Sequence, residues 1–191
     1  MIKARYLVLA ALAVAAIQIG ILVSMIAGRA AILRDGAEIV LKVEPVDPRD
    51  LLRGDYVILS YNISLVQPDL FENPVSDDVE GGPHDVFVRL APDADGFHEP
   101  VLASLDRPPA AEIRPGEVDI RGRIRYWSPY GPSFVEYGIE RYYVPEGEGL
   151  EIEQGILERD FVIKAAVAPS GAAQIRSLHD GERLLYAEPW Y

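Results

Sequence analysis

The chain has 191 residues, 49% hydrophobic and 25% charged, enough for one domain with its own core and an additional segment. It has no cysteine, which excludes disulfides, thiolate nucleophiles and cysteine-based zinc sites. All 30 Asp and Glu lie beyond Ala27, against 16 of the 18 Lys and Arg, so that part carries −14. Its general field repels nucleic acid and anionic lipid head groups, so neither is expected as a partner through that field.

From Leu7 to Ala27 the sequence reads LVLAALAVAAIQIGILVSMIA, without a charge. Helical rise of ~1.5 Å per residue makes this run roughly 30 Å long, the thickness of bilayer hydrocarbon. It exceeds the usual ~7–15-residue core of a secretory signal. The one nearby cleavage candidate, Gly28-Arg29-Ala30, places an arginine inside the small-residue motif. An uncleaved anchor is therefore predicted, with residues 1–28 as tail and span, 29–36 as linker and 37–191 as an acidic β-rich domain. Lys3 and Arg5 precede the run while Arg29 and Arg34 follow it, so charge gives only a weak orientation. The short N-terminal tail makes N-inside the economical topology, with the domain outside the cytoplasmic membrane.

Beyond Arg34 the pattern becomes short runs punctuated by turns. Ala37 to Val43 reads as a strand, and Tyr56 to Val66, rich in Val, Ile and Tyr, as a second. Gln67 to Pro83 holds three prolines and an acid run and is a loop. Asp85 to Leu90 and Pro100 to Asp106 form a hairpin around APDADGFHE. Glu117 to Trp127 alternates strictly, and Gly138 to Val144 is extended again. A short helix is expected near Gly147 to Glu158. Phe161 to Val167 and Ala172 to Leu178 make a second hairpin around APSG, and Leu184 to Ala187 a last strand. Turns every ten or so residues predict a mainly β fold, a small barrel or sandwich.

The densest stretch is DPRDLLRGDYVILSY, residues 47–61. Pro48 pushes Asp47 toward an extended shape, which places Asp47 to cap the following turn. Gly54 turns the chain sharply into the strand. There Asp55, Val57, Leu59 and Tyr61 share one face, and Tyr56, Ile58, Ser60 and Asn62 the other. Both faces are mainly apolar, the pattern of a strand covered on both sides. Asp55 is expected to accept backbone N–H groups or to pair with Arg49 or Arg53.

The run Gly54-Asp55-Tyr56-x-x-Leu59-x-Tyr61 resembles the signature of the GDYXXLXY family of bacterial membrane-anchored proteins. GIERYYVPEGEG, Gly138 to Gly149, resembles that family's second characteristic segment. The resemblance implies an accessory role beside a polytopic membrane protein and no assigned biochemical activity. LLRGDYVIL is also similar to the Gly-Asp strand that follows the catalytic serine of type I signal peptidases. That similarity implies an envelope hydrolase as the alternative. Yet residues 37–54 contain no Ser or Thr, Val46 stands about where the nucleophile would be, and Lys42 and Lys164 are the only lysines beyond the anchor. A lysine without a hydroxyl to activate is no dyad. The acids left to an enzyme are Asp47, Asp50 and Asp55, or Glu140.

Arg121, Arg123 and Arg125 alternate with Ile120, Gly122, Ile124 and Tyr126, so strand periodicity sets three guanidiniums on one face. They form either an anion grip or a row of cross-strand ion pairs; a domain so rich in acids supplies partners readily, which favours the pairs. Tyr126, Trp127, Tyr130, Phe134, Tyr137, Tyr142 and Tyr143, with Glu140 and Arg141 among them, make either a core or a binding surface. Core is favoured; a binding surface, if one exists, is expected here. His84, His98 and His179 adjoin acids but lack ligand spacing, and are read as solvated turn residues, with no metal. Asp93 to Gly96 is read as a hairpin turn, not a calcium loop. No cofactor motif is present.

Overall fold

A computed structural model describes residues 4–44, 56–72, 83–127, 130–143 and 159–189. A helix, α1, runs from Ala4 to Asp35. It is long and apolar enough to cross a membrane, and its large side chains from Leu7 to Ile26 are all exposed. An apolar surface on every side is what a helix presents to lipid. The segment expected as a linker, 29–36, is helical as far as Asp35, because Arg, Ala, Ile and Leu offer no break before Gly36.

Among the described residues twelve strands follow: β1 (Ala37–Glu44), β2 (Tyr56–Ile58), β3 (Ser60–Tyr61), β4 (Leu65–Val66), β5 (His84–Pro92), β6 (His98–Leu105), β7 (Val118–Ile124), β8 (Ser133–Glu136), β9 (Arg141–Tyr143), β10 (Phe161–Val167), β11 (Ala173–Asp180) and β12 (Arg183–Ala187). One five-stranded sheet has the order β12-β11-β10-β1-β3, the other β4-β8-β7-β5-β6, and β2 pairs with β9 alone. All these strand pairings are antiparallel. Of the two architectures expected, the arrangement is that of a sandwich, and no closed barrel is seen among the described residues. Between the sheets lies one core, with Ile39, Leu41, Ile163 and Leu178 from the first and Val86, Val88, Ile120 and Val135 from the second.

The predicted hairpins form where alternation and turn residues coincide. At the β5–β6 turn Asp93 Oδ1 accepts from the backbone N–H groups of Asp95 (2.9 Å) and Phe97 (2.8 Å), the hairpin turn expected of Asp93 to Gly96. The helix expected near Gly147 to Glu158 lies outside the described residues.

The predicted strand Tyr56 to Val66 is instead three pieces, β2, β3 and β4, and its faces are unequal. Leu59 and Tyr61 are buried, whereas Ile58 is 47% exposed. One face only is covered. Asn62 shows why the run breaks. Its side chain accepts from Lys42 N (3.2 Å) and donates to the His98 carbonyl (2.8 Å), standing between β1 and β6.

The first sheet is joined to α1 by Arg176. Its Nε donates to the Leu33 carbonyl at 2.8 Å and its Nη2 to the Gly36 carbonyl at 3.1 Å, while Nη1 meets Glu38 at 3.1 Å. A guanidinium thus caps the C-terminal carbonyls of the helix, where both hydrogen bonding and the helix dipole favour a cation. Gly36 lets the two parts close up: a Cβ there would stand 2.6 Å from the Ile32 carbonyl oxygen and 3.0 Å from Val167 N. The helix packs directly on β10 and β11.

Candidate functional site

The two segments that carry the family resemblance, 82 residues apart at Tyr56 and Gly138 by number alone, are strand partners in space. Tyr56 pairs with Tyr143, Val57 with Tyr142 and Ile58 with Arg141. Leu59 N continues the ladder by donating to the Glu140 carbonyl at 2.7 Å. The chain then leaves β9, and Ser60 and Tyr61 pair with Glu44 and Val43 of β1. After a turn it returns, pairing Leu65 with Phe134 and Val66 with Ser133. As many residues separate Ile58 from Leu65 as separate Phe134 from Arg141, so one ladder is interrupted without a change of register.

Two tyrosines fill the interruption. Tyr61 Oη donates to the Ile139 carbonyl at 2.5 Å, and Tyr137 Oη donates to the Ile63 carbonyl at 2.8 Å. Both rings are buried. Burial, helped by the Glu140 carboxylate, raises the Tyr137 phenol well above its ordinary range, so it stays a neutral donor. Ser64 tightens the turn by accepting from Tyr61 N at 3.0 Å. Gly122 makes room, since a Cβ there would overlap Val135 and stand 3.0 Å from the Tyr137 ring.

Glu140, a candidate acid, accepts from Tyr137 N, and its other oxygen accepts from Gly138 N at 2.9 Å. Both carboxylate oxygens therefore serve the turn between β8 and β9. Beside this turn is an open groove of about 490 Å³ whose walls include Ile58, Arg125, Phe134, Glu136, Glu140 and Arg141. Leu65 and Phe134, direct neighbours across the ladder, are 51% and 48% exposed. Together with Ile58 they form an apolar strip along the outside of the interrupted ladder.

The three arginines of β7 and its end share the exposed face, as periodicity predicts. Arg121 reaches Asp85 at 2.6 Å, Arg123 the same carboxylate at 3.7 Å, and Arg125 reaches Glu136 at 3.0 Å. The aromatic segment divides. Tyr137 joins the core and Trp127 packs edge-on against Phe71 at 6.3 Å, whereas Tyr126 and Tyr130 are exposed. Tyr142 and Tyr143 enter through their backbone pairing with β2. Gly54, Asp55, Asp47 and Asp50 lie outside the described residues.

The histidines are not the solvated turn residues expected. His98 opens β6, is buried, and its Nδ1 accepts from Val40 N at 3.2 Å; burial holds its pKa below the usual value. His179 Nε2 is 2.8 Å from Ser177 Oγ, with its pKa lowered by burial and by Lys164. His84 Nδ1 is 3.1 Å from Asp106. Alternation around His98 gave no sign of this, because its partner Val40 comes from another strand. Among the described residues no group of three or more His, Asp or Glu is placed to hold a metal.

Other anchoring residues escaped notice for the same reason. Arg89 is buried in β5, and its Nε and Nη2 bind the two Asp119 oxygens at 2.8 and 3.0 Å. Its Nη1 donates to the Ala111 carbonyl at 2.6 Å. Asp119 is the first cause of the rise in Arg89 basicity.

A family model described as GDYXXLXY protein matches residues 18–178. No curated protein matches the chain. No solved structure matches it.

Proposed function

The chain belongs to the GDYXXLXY family, and from this membership and the geometry above we propose a membrane-anchored, non-enzymatic accessory domain of the bacterial cell envelope, docking beside an integral membrane protein. In this reading α1 crosses the cytoplasmic membrane once, with the β-domain on its outer side. One observation carries the docking role: the apolar strip of Ile58, Leu65 and Phe134 is exposed on the ladder where the two signature segments meet. Contiguous apolar surface rimmed by charge is the usual mark of a partner site. The groove's candidate acid, Glu140, is already committed to backbone N–H groups, which supports a structural role over acid–base chemistry.

Co-purification in mild detergent tests this. The full chain is expected to bring down a stoichiometric membrane protein, and Phe134→Glu to lose it while the melting temperature stays within a few degrees. Repeated recovery of the chain alone would count decisively against docking.

The envelope-hydrolase alternative draws on a different observation, the 2.8 Å contact of Ser177 Oγ with His179 Nε2 beside a cavity of about 250 Å³. A nucleophile and base in contact also need a third group to orient the base. Among the described residues none hydrogen-bonds the second ring nitrogen of His179. Covalent labelling of Ser177 by a fluorophosphonate would revive this alternative.

A further inference from the structure

Where α1 meets the domain there is a second, polar cavity of about 270 Å³. Arg29 of α1, Arg141 of β9, Gln174 of β11 and Glu188 line it, over Ile139 and Ile175. Its height is set by the helix. The apolar run ends at Ala27, and at ~1.5 Å per residue Arg29 stands roughly 3 Å beyond it, at head-group depth. Among the described residues Arg29 has neither a hydrogen bond nor an ion pair. Arg141 links this cavity to the signature ladder, since it also pairs with Ile58.

We propose that Arg29, Arg141 and Gln174 form a phosphate pocket that takes the phosphodiester of a phospholipid head group. Guanidinium forks match phosphate oxygens, and the Gln174 amide adds N–H donors. The unengaged Arg29 guanidinium suits a monoanionic phosphodiester, and the Glu188 carboxylate accepts from a head-group hydroxyl or amine. The −14 carried by the chain beyond Ala27 opposes anionic lipid at long range, but most of that field is screened beyond about 8 Å at physiological salt. At contact the guanidinium and amide donors act on the phosphate directly. The pocket would seat the domain on the bilayer and present the signature ladder to a neighbour in the membrane.

This inference rests on α1 spanning the membrane, which alkaline carbonate extraction tests separately: a released chain sinks the span whatever the lipid result. The pocket is tested by native mass spectrometry of the full chain released from nanodiscs of phosphatidylglycerol and phosphatidylcholine. Wild type is expected to retain one phosphatidylglycerol. Arg29→Gln, on the helix surface, should weaken retention about tenfold, the loss of one charge-assisted contact. Arg141→Gln should do the same with a thermal melt to confirm folding, while Arg123→Gln, equal in charge and away from the cavity, should retain the lipid. Retention that survives the Arg29→Gln, Arg141→Gln double variant overturns the pocket, as does wild type that holds no lipid. Millimolar inorganic phosphate separates the sources: failure to displace the lipid supports the head group, and displacement with retained phosphate overturns the lipid assignment.

Discussion

Tyr61 and Tyr137 each donate a hydroxyl to a carbonyl two residues beyond the other: Tyr61 to Ile139 and Tyr137 to Ile63. The last residue of the GDYxxLxY signature is therefore a bolt across an interrupted ladder. Removing either hydroxyl leaves a buried carbonyl short of a donor, at a cost of about 1–3 kcal/mol. Tyr61→Phe and Tyr137→Phe should each lower the thermal midpoint, with the double variant losing less than the sum of the two, because one break slackens the other. Strict additivity in chemical unfolding would show the two bonds to be independent.

That bolt marks the limit of what the residues disclose on their own. The alternation of Ile120, Gly122 and Ile124 with three arginines located β7, its buried face and its ion-paired face, since both depend on neighbours along one strand. Tyr56 to Val66 read as one strand because apolar residues on both faces conceal a kink. The kink is set by Asn62 bonding to Lys42 and His98, groups distant in sequence. Tyr137 passed for an ordinary core aromatic for the same reason. Of the signature, Leu59 and Tyr61 are placed in the core, while the corner at Gly54 and Asp55 lies outside the described residues, and its role rests on the sequence.

Arg89 presents a second non-local dependence with a sharper energetic consequence. It is 3% exposed and gives two hydrogen bonds to Asp119 and others to the 111–112 connector. Arg89→Met should destabilise by about 3–5 kcal/mol, because Asp119 is left as an uncompensated, largely buried charge. Adding Asp119→Leu should recover a large part of the loss. If the double variant is no better than Arg89→Met in urea titration, the connector contacts and not the ion pair hold this region.

His98 gives stability a pH dependence whose sign follows from burial. Its folded pKa lies below the ordinary imidazole value of 6.5, with desolvation as the first cause and Asp93 pulling the other way. Above about pH 6.5 both folded and unfolded forms are neutral and the contribution is complete. As pH falls from there toward the folded pKa the unfolded chain takes up the proton first, and stability declines. Protonation would also remove the lone pair that Val40 N–H uses. His179 shares the direction of shift, so His98→Gln should reduce the acid-side slope of the melting temperature and His98→Gln with His179→Gln should reduce it further. An unchanged slope in the double variant would assign the acid loss to carboxylates.

The junction of α1 with β11 makes the domain's orientation to the helix depend on one side chain. Arg176 holds the Leu33 and Gly36 carbonyls and Glu38 together, and Gly36 admits the close approach. Arg176→Gln keeps a donor but cannot serve three acceptors in a planar fork. The chain has no cysteine, so labels at Ala27→Cys and Glu182→Cys are unambiguous. In wild type the spin-label distance distribution should be narrow; in Arg176→Gln it should broaden, while unfolding of the sandwich core shifts by no more than about 1–2 kcal/mol, the scale of one or two partly exposed hydrogen bonds. Equal widths in both proteins would show that packing of Ala30 to Leu33 on β10 and β11 fixes the orientation without the guanidinium. A broad distribution in wild type would mean that the helix and domain swivel freely, and Gly36 would then be a hinge.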